Sequence, residues 1–261
     1  MIIDSHCHLQ DLVFGDARSA VTRASEHGVW GIVAVGCDAA SNERTLAAAA
    51  ANGKIVSAAF GFHPEWTHLT DGDIDLVENQ VAQHHARLIA LGEVGLPWYN
   101  LESAADPVAL MTRGRQRFAR LLDLAVRYDL PVVVHAPHGA AQRALEILQS
   151  KQIERAVFHW HKATADVTRA IIDAGYFVSV TPEVVYRERD RELVEMVPLE
   201  SLLVESDGPW PYKGEFDGMP SGPWLCGRVV EEVAKIKQLP VEETMYRLSA
   251  NTCQLFHLVW A

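Results

Sequence analysis

Apolar residues along this 261-residue chain follow two alternating rhythms. Short runs rich in Val, Ile and Ala occupy residues 1–4, 30–36, 55–61, 88–92, 131–135, 156–159, 177–181 and 201–205. Between them, at 17–27, 42–51, 114–128, 140–151 and 166–174, apolar side chains recur about every three to four positions, the spacing of a helix with one buried face. A continuous apolar run suits a strand covered on both faces, as in a parallel sheet wrapped by helices. Eight such strand–helix units, about 30 residues apart, predict an α/β fold: a (β/α)8 TIM barrel forming a single domain over residues 1–261, in preference to an open doubly wound sheet. No glycine-rich phosphate loop follows the first run, which counts against dinucleotide binding. Residues 95–107 and 208–224 break the rhythm with Pro, Gly and aromatic residues, and are expected as loops over the catalytic end of the barrel.

Composition narrows the picture a little. Hydrophobic residues make up 49% of the chain, enough for one large core. Lys and Arg total 23 against 34 Asp and Glu, a net charge of −11, which argues against holding nucleic acid on a broad basic surface. A nuclease is still compatible, because bound divalent cations can supply the positive charge a phosphate needs. Cys7, Cys37, Cys226 and Cys253 show no CxxC spacing and read as small buried residues of a reducing compartment. No basic leader precedes an apolar stretch, and no apolar run approaches the roughly 18 residues of a membrane span. A cytoplasmic protein without membrane contact is therefore expected, and no protein partner is evident.

The chemistry-bearing residues sit where the apolar runs stop. In Asp4-Ser5-His6-Cys7-His8, side chains two apart on a strand share a face, so His6 and His8 can reach one metal. Glu93 closes the fourth run, His135 the fifth and His159 the sixth, and Asp207 follows the eighth. In a barrel these positions converge at the top face. Paired imidazoles with carboxylates suit zinc, and a mixed set of this kind also accepts manganese or magnesium. His161 shares the strand parity of His159 and is an alternative ligand on that ground. Glu205 shares the parity of Asp207, either behind the ligands or as interior packing.

These motifs, in this order, resemble the TatD family of metal-dependent deoxyribonucleases, within the amidohydrolase-like barrels. The resemblance spans nearly the whole chain: Asp4-Ser5-His6-Cys7-His8, Gly61-Phe62-His63-Pro64, Gly92-Glu93-Val94-Gly95-Leu96, Leu130-Pro131-Val132-Val133-Val134-His135, His159, Glu205-Ser206-Asp207-Gly208-Pro209 and Asn251-Thr252-Cys253-Gln254-Leu255-Phe256. It implies two divalent metal ions bridged by Glu93, one completed by His6, His8 and Asp207, the other by His135 and His159. Such a pair can clamp a phosphodiester and activate water for in-line attack. Asp207 is the carboxylate best placed to orient that water and accept its proton. By the same resemblance His63 is a donor to the scissile phosphate; a strand-end hydrogen-bonding role is the alternative.

The chain departs from the family around the ligands. Pro97 stands where Asp is usual, and Ala136-Pro137-His138 replaces Ser-Arg after the strand-five histidine. Trp160-His161-Lys162-Ala163 follows strand six, and Pro220-Ser221-Gly222-Pro223 takes the place of Arg-Asn-Glu-Pro. Lys162 is a candidate substrate-binding cation in place of the missing arginine, although it lacks the arginine fork; it reads equally as a solvated residue at a helix start. Of Trp66, Trp98, Tyr99, Trp210, Tyr212 and Trp224, most are expected to pack loops onto the barrel and one or two to touch substrate. The leading expectation is a phosphodiesterase or deoxyribonuclease acting on short or single-stranded DNA. A lactonase, amidase or deaminase on the same centre, and a non-catalytic scaffold, are the alternatives.

Overall fold

Eight parallel strands carry the eight apolar runs in the computed structural model, which describes residues 1–11 and 16–258. They are β1 (Ile2–Cys7), β2 (Val29–Val35), β3 (Val56–Phe60), β4 (Leu88–Gly95), β5 (Val132–His135), β6 (Ala156–Phe158), β7 (Phe177–Val180) and β8 (Leu202–Val204). Each pairs with the next in chain order. The intervening helices are α1 (Ala17–Glu26), α2 (Ala39–Asn52), α3 (Asp71–His84), α4 (Pro107–Tyr128), α5 (Ala140–Ser150), α6 (Ala165–Asp173) and α7 (Glu188–Met196). α8 (Cys226–Lys237) and α9 (Val241–Phe256) complete the described chain. The expected TIM barrel is present, and no helix among the described residues is long and apolar enough to cross a membrane.

Helix ends fall where local chemistry stops them rather than where the apolar spacing begins. α4 starts seven residues before its predicted first residue, because the Asp106 side chain accepts from Ala109 N and Pro107 occupies the first turn. α2 starts three residues early, at an Asp38–Ser41 capping box. α3, α7, α8 and α9 have no counterpart among the predicted helical stretches. α7 buries only Asp190, Leu193 and Val194, too few apolar side chains for a legible stripe.

Alternation along the strands divides the core in two. Val33, Val35, Ala59, Val133, Val157, Phe177 and Leu203 form one buried cluster, whereas Ile32, Ala34, Ala58, Phe60, Val132, Val134, Phe158, Val178 and Val204 belong to the layer beneath the helices. Successive strand side chains point to opposite faces, so the first set lines the barrel interior. Leu255 and Phe256 of α9 join this inner cluster beside Phe177. The C-terminal motif thus plugs the barrel. Continued upward, the inner parity runs from Val133 to His135, from Val157 to His159, and from Leu203 through Glu205 to Asp207.

The seam between β8 and β1 has no strand ladder and is closed by polar contacts instead. The Asp4 carboxylate accepts Ser206 N–H at 2.9 Å and Ser206 Oγ–H at 2.5 Å. Ser5 Oγ donates to Val204 O (2.9 Å), Asp207 N–H to His6 O (3.0 Å) and His8 N–H to Gly208 O (2.8 Å). Below, the buried Asn251 amide donates to Leu199 O (2.7 Å) and Leu202 O (2.9 Å), fixing α9 to the start of β8. Asn251→Ala strands both buried carbonyls and should cost about 1–3 kcal/mol of unfolding free energy. Urea denaturation measures it, and a loss below about 0.5 kcal/mol would mean that solvent replaces the amide.

Candidate metal centre

At the top of the barrel the six side chains singled out as ligands meet around one carboxylate. Glu93, in β4, is 1% exposed and presents its two oxygens to different partners. Oε2 lies 3.4 Å from both His6 Nε2 and His8 Nε2. Asp207 Oδ1 lies 3.3 Å and 3.4 Å from the same two nitrogens, which are 3.4 Å apart. Four ligands held tetrahedrally at about 2.0–2.1 Å from one ion lie about 3.3–3.4 Å from each other, so these donors have the spacing of one coordination shell. Glu93 Oε2 is also buried without a hydrogen-bond partner among the described residues, an acceptor that a cation would satisfy.

Glu93 Oε1 faces the other side. His135 Nδ1 is 2.6 Å away and His159 Nε2 2.7 Å, with 3.2 Å between the two nitrogens. His63 Nε2 lies 3.2 Å from the same oxygen, so His63, Glu93 and His135 also form a group of ligand spacing. The His6 and His159 rings stack at 4.0 Å and bring the two halves together. His161 is not part of the cluster. Its Nε2 pairs with Thr168 Oγ1 at 2.8 Å, and burial, reinforced by the positive charge of Arg189, pushes its pKa down to about 3. The parity that suggested it is broken by Trp160, whose φ of 40° turns the chain out of the strand. Two acceptors hold Trp160 N–H there, Glu205 Oε1 at 2.7 Å and Ser179 Oγ at 3.1 Å.

Buried charge explains the protonation tendencies. Burial disfavours a charged His6, but Asp207 and Glu93 outweigh it and lift the ring to about 10. His135 likewise rises against burial to about 9 through Glu65 and Glu93. Glu93 is held well below the usual carboxylate range by His159, His63 and His135, again against burial. A pair of carboxylates this deep needs positive charge, and the chain offers imidazoles rather than lysine or arginine. An imidazole that gives up its proton binds a metal ion through the same nitrogen.

The outer ring of contacts was only partly legible beforehand. Glu205 accepts from Ser179 Oγ–H at 2.6 Å and lies 3.5 Å from His159 Nδ1, behind the histidine. Cys37 Sγ lies 3.4 Å from His8 Nδ1. Glu65 was missed. It gathers the N–H groups of Trp98, Tyr99 and Asn100 at 2.6–3.2 Å and reaches His135 Nε2 at 3.4 Å. Against burial, bonds from His135 and from Tyr99 and Trp98 N–H draw its carboxyl down to about 2. Its position directly after Gly61-Phe62-His63-Pro64 was the available signal. Glu65 N–H also donates to His63 Nδ1 at 3.2 Å, which leaves the His63 proton on Nε2, facing Glu93. Gly61 and Gly95 let these strands approach. A Cβ at Gly61 would lie 2.2 Å from Glu93 N, and one at Gly95 1.9 Å from His135 O.

A cavity of about 980 Å³ opens over the cluster. Of the six loop aromatics considered from sequence, Tyr99 and Trp210 line it, with Trp160 beside them. Lys162 lines it too, its Nζ 3.4 Å above the Trp160 ring and 3.2 Å from Tyr99 Oη. The segment Pro220-Ser221-Gly222-Pro223 stands outside this cavity and braces its wall: Ser221 Oγ donates to Trp210 O at 2.5 Å. Arg187, Arg189 and Lys213 also line the cavity, a cationic group that the net charge of −11 concealed.

Comparison with known proteins fits this arrangement. A family model for TatD related DNases matches residues 3–257. An uncharacterised metal-dependent hydrolase of Haemophilus influenzae is 28% identical over 258 residues, covering 99% of this chain and 100% of its own. A human protein named deoxyribonuclease TATDN3 is 27% identical over 263 residues, covering 98% of this chain and 94% of its own. Among solved structures, YJJV, a TatD homolog from Escherichia coli K12, superimposes with a TM-score of 0.88 at 28% identity, covering 99% and 98% of the two chains. With the barrel, the convergent donors and a match along nearly the whole sequence, this chain belongs to the TatD family of metal-dependent hydrolases.

Proposed function

We propose that the protein hydrolyses phosphodiesters with two divalent cations, one held by His6, His8 and Asp207, the other by His135 and His159, with Glu93 shared. The observation that carries this reading is the division of Glu93: Oε2 faces one donor set and Oε1 the other. When bound, the ions would polarise the phosphoryl group and lower the pKa of the attacking water. Zinc, manganese and magnesium each suit part of this mixed donor set. Asp207 lies at the cavity wall between β8 and the two β1 histidines, where its free oxygen would take the water's proton. His63, neutral because burial lowers its pKa, keeps a proton on Nε2 and would donate to a phosphoryl oxygen. Lys162 would pair with substrate negative charge.

The names of the family and of the human relative support DNA as the substrate class. The cavity favours short or single-stranded DNA, since its walls enclose a volume of small-molecule scale rather than a duplex.

Three outcomes test this reading. Protein stripped with a chelator should lose hydrolysis of single-stranded oligonucleotides and regain it with divalent metal. Metal analysis of the reloaded protein should give two ions per chain, and saturation of activity at one ion would rule out the paired centre. Asp207→Asn should lower kcat by about 10²–10⁴ with an unchanged circular dichroism spectrum. Near-normal turnover by the metal-loaded variant would move the base elsewhere. The third outcome concerns pH. Burial depresses the Lys162 ammonium to about 8, so its charge is present below that pH and lost above it. KM for an anionic substrate should therefore climb above about pH 8, and Lys162→Gln should raise KM at neutral pH and remove that climb. An identical KM–pH profile in the variant would exclude Lys162 from substrate binding.

A further inference from the structure

We propose that the outer half of the cavity is a second anion-binding subsite, formed by Arg187, Arg189, Lys213 and Lys162, which takes the phosphate neighbouring the one cleaved. This rests on the phosphodiesterase reading and specifies its substrate: a chain of at least two phosphates, or a phosphodiester with a terminal phosphate.

The first observation is placement. All four cations line the cavity that holds His8, Glu93 and Asp207. Tyr186, Arg187, Arg189 and Lys213 continue outward and, with Glu188, line an adjoining depression of about 570 Å³. The positive wall therefore runs from the metal donors toward solvent, on a chain whose overall charge is −11. Cations grouped along one wall of a cleft draw anions to that place.

The second observation is how the wall is held. Glu183, 6% exposed, accepts from Arg187 Nε and Arg189 Nη2, each at 2.8 Å, and from Trp160 Nε1 at 3.3 Å. One buried carboxylate thus fixes two guanidinium groups side by side. Arg189 also donates to Asp190 at 2.6 Å, yet its Nε is buried and meets no acceptor among the described residues. Two guanidinium groups preset by one carboxylate at a cavity wall are placed to share an anion. Lys213 pairs with Asp217 at 3.1 Å, but both side chains are about two-thirds exposed, a contact that water makes weak and easily exchanged.

The third observation is crowding. Burial lowers the pKa of Lys162 and Arg189 lowers it further, although Glu183 favours the charge, and burial together with Lys162 and Arg189 disfavours a charged His138. Glu183 offsets only part of this like-charge crowding, and a bound phosphate would relieve more of it. Arginine forks match the oxygens of a phosphate, and two of them with two lysines suit a dianion better than a single carboxylate.

The test uses metal-loaded protein and dithymidine substrates unmodified, 5′-phosphorylated or 3′-phosphorylated, together with the unphosphorylated trithymidine. Hydrolysis is measured on ordinary linkages, and binding by tryptophan fluorescence on the same compounds with uncharged methylphosphonate linkages. We expect one terminally phosphorylated dinucleotide to gain at least tenfold in kcat/KM and in affinity. Arg187→Gln with Lys213→Gln should bring it to parity with the unmodified form. An equal gain in trithymidine would assign the subsite to the next phosphate of a strand, and a gain confined to the terminal phosphate would assign it to chain ends. Equal values for all compounds in the wild type, or a preference that survives the double substitution, would overturn the subsite. A binding preference without hydrolysis of any phosphodiester would leave the subsite standing and remove the phosphodiesterase reading, and hydrolysis without preference would do the reverse.

Discussion

Glu93 carries a carboxylate into the interior of a barrel, where an ionised group costs several kcal/mol unless opposite charge meets it. Its ion-pair partners among the described residues are histidines: His6, His8, His63, His135 and His159 all place a ring nitrogen within 3.4 Å of it. Lysine or arginine would have neutralised the carboxylate permanently. Imidazole leaves the choice open, because the compensating charge can be a proton on the ring or a cation bound by its lone pair.

That constraint reaches into the frame. His6 and His8 stand on one side of the unpaired β1–β8 seam and Asp207 on the other, so donors of one cluster come from the two edges of the sheet. The bonds from Asp4 to Ser206, from Asp207 N–H to His6 O and from His8 N–H to Gly208 O set the width of the seam. Polar residues in β1 are thus a condition of closure as well as of chemistry. Asp207 itself sits at φ 43°, a conformation that costs a non-glycine residue roughly 1–2 kcal/mol and that these contacts help hold.

The barrel was legible because each strand is an apolar run and each donor interrupts one. His135, His159 and Asp207 follow the inner parity of Val133, Val157 and Leu203, so strand alternation alone aims them inward. Parity misled at His161, where a single left-handed residue ends the alternation, and such a turn leaves no mark in hydropathy. Helix α7 was illegible because it buries only Asp190, Leu193 and Val194, whereas α3, α8 and α9 carry buried apolar positions that were not among the stretches read as helical. Glu65 and the arginines after β7 were missed for another reason. Their importance comes from contacts between loops 30 or more residues apart, or from local charge set against an opposite total, and neither is a property of a short window. The altered segments were read as lost substrate contacts; in the structure, Pro220-Ser221-Gly222-Pro223 buttresses the Trp210 loop instead.

Six strands deliver a donor to the central cluster, while β2 and β7 deliver none. β7 is followed instead by Thr181 and a 3-10 turn, Pro182–Val185, which contains Glu183 and leads into Tyr186, Arg187 and Arg189. The two arginines of the cavity wall thus stand on a piece of chain that carries none of the central donors. Divergence among relatives that share this barrel has an inexpensive route along the short connection from β7 to α7. A graft of that connection between two homologues would be an exchange of appetite with the engine left in place.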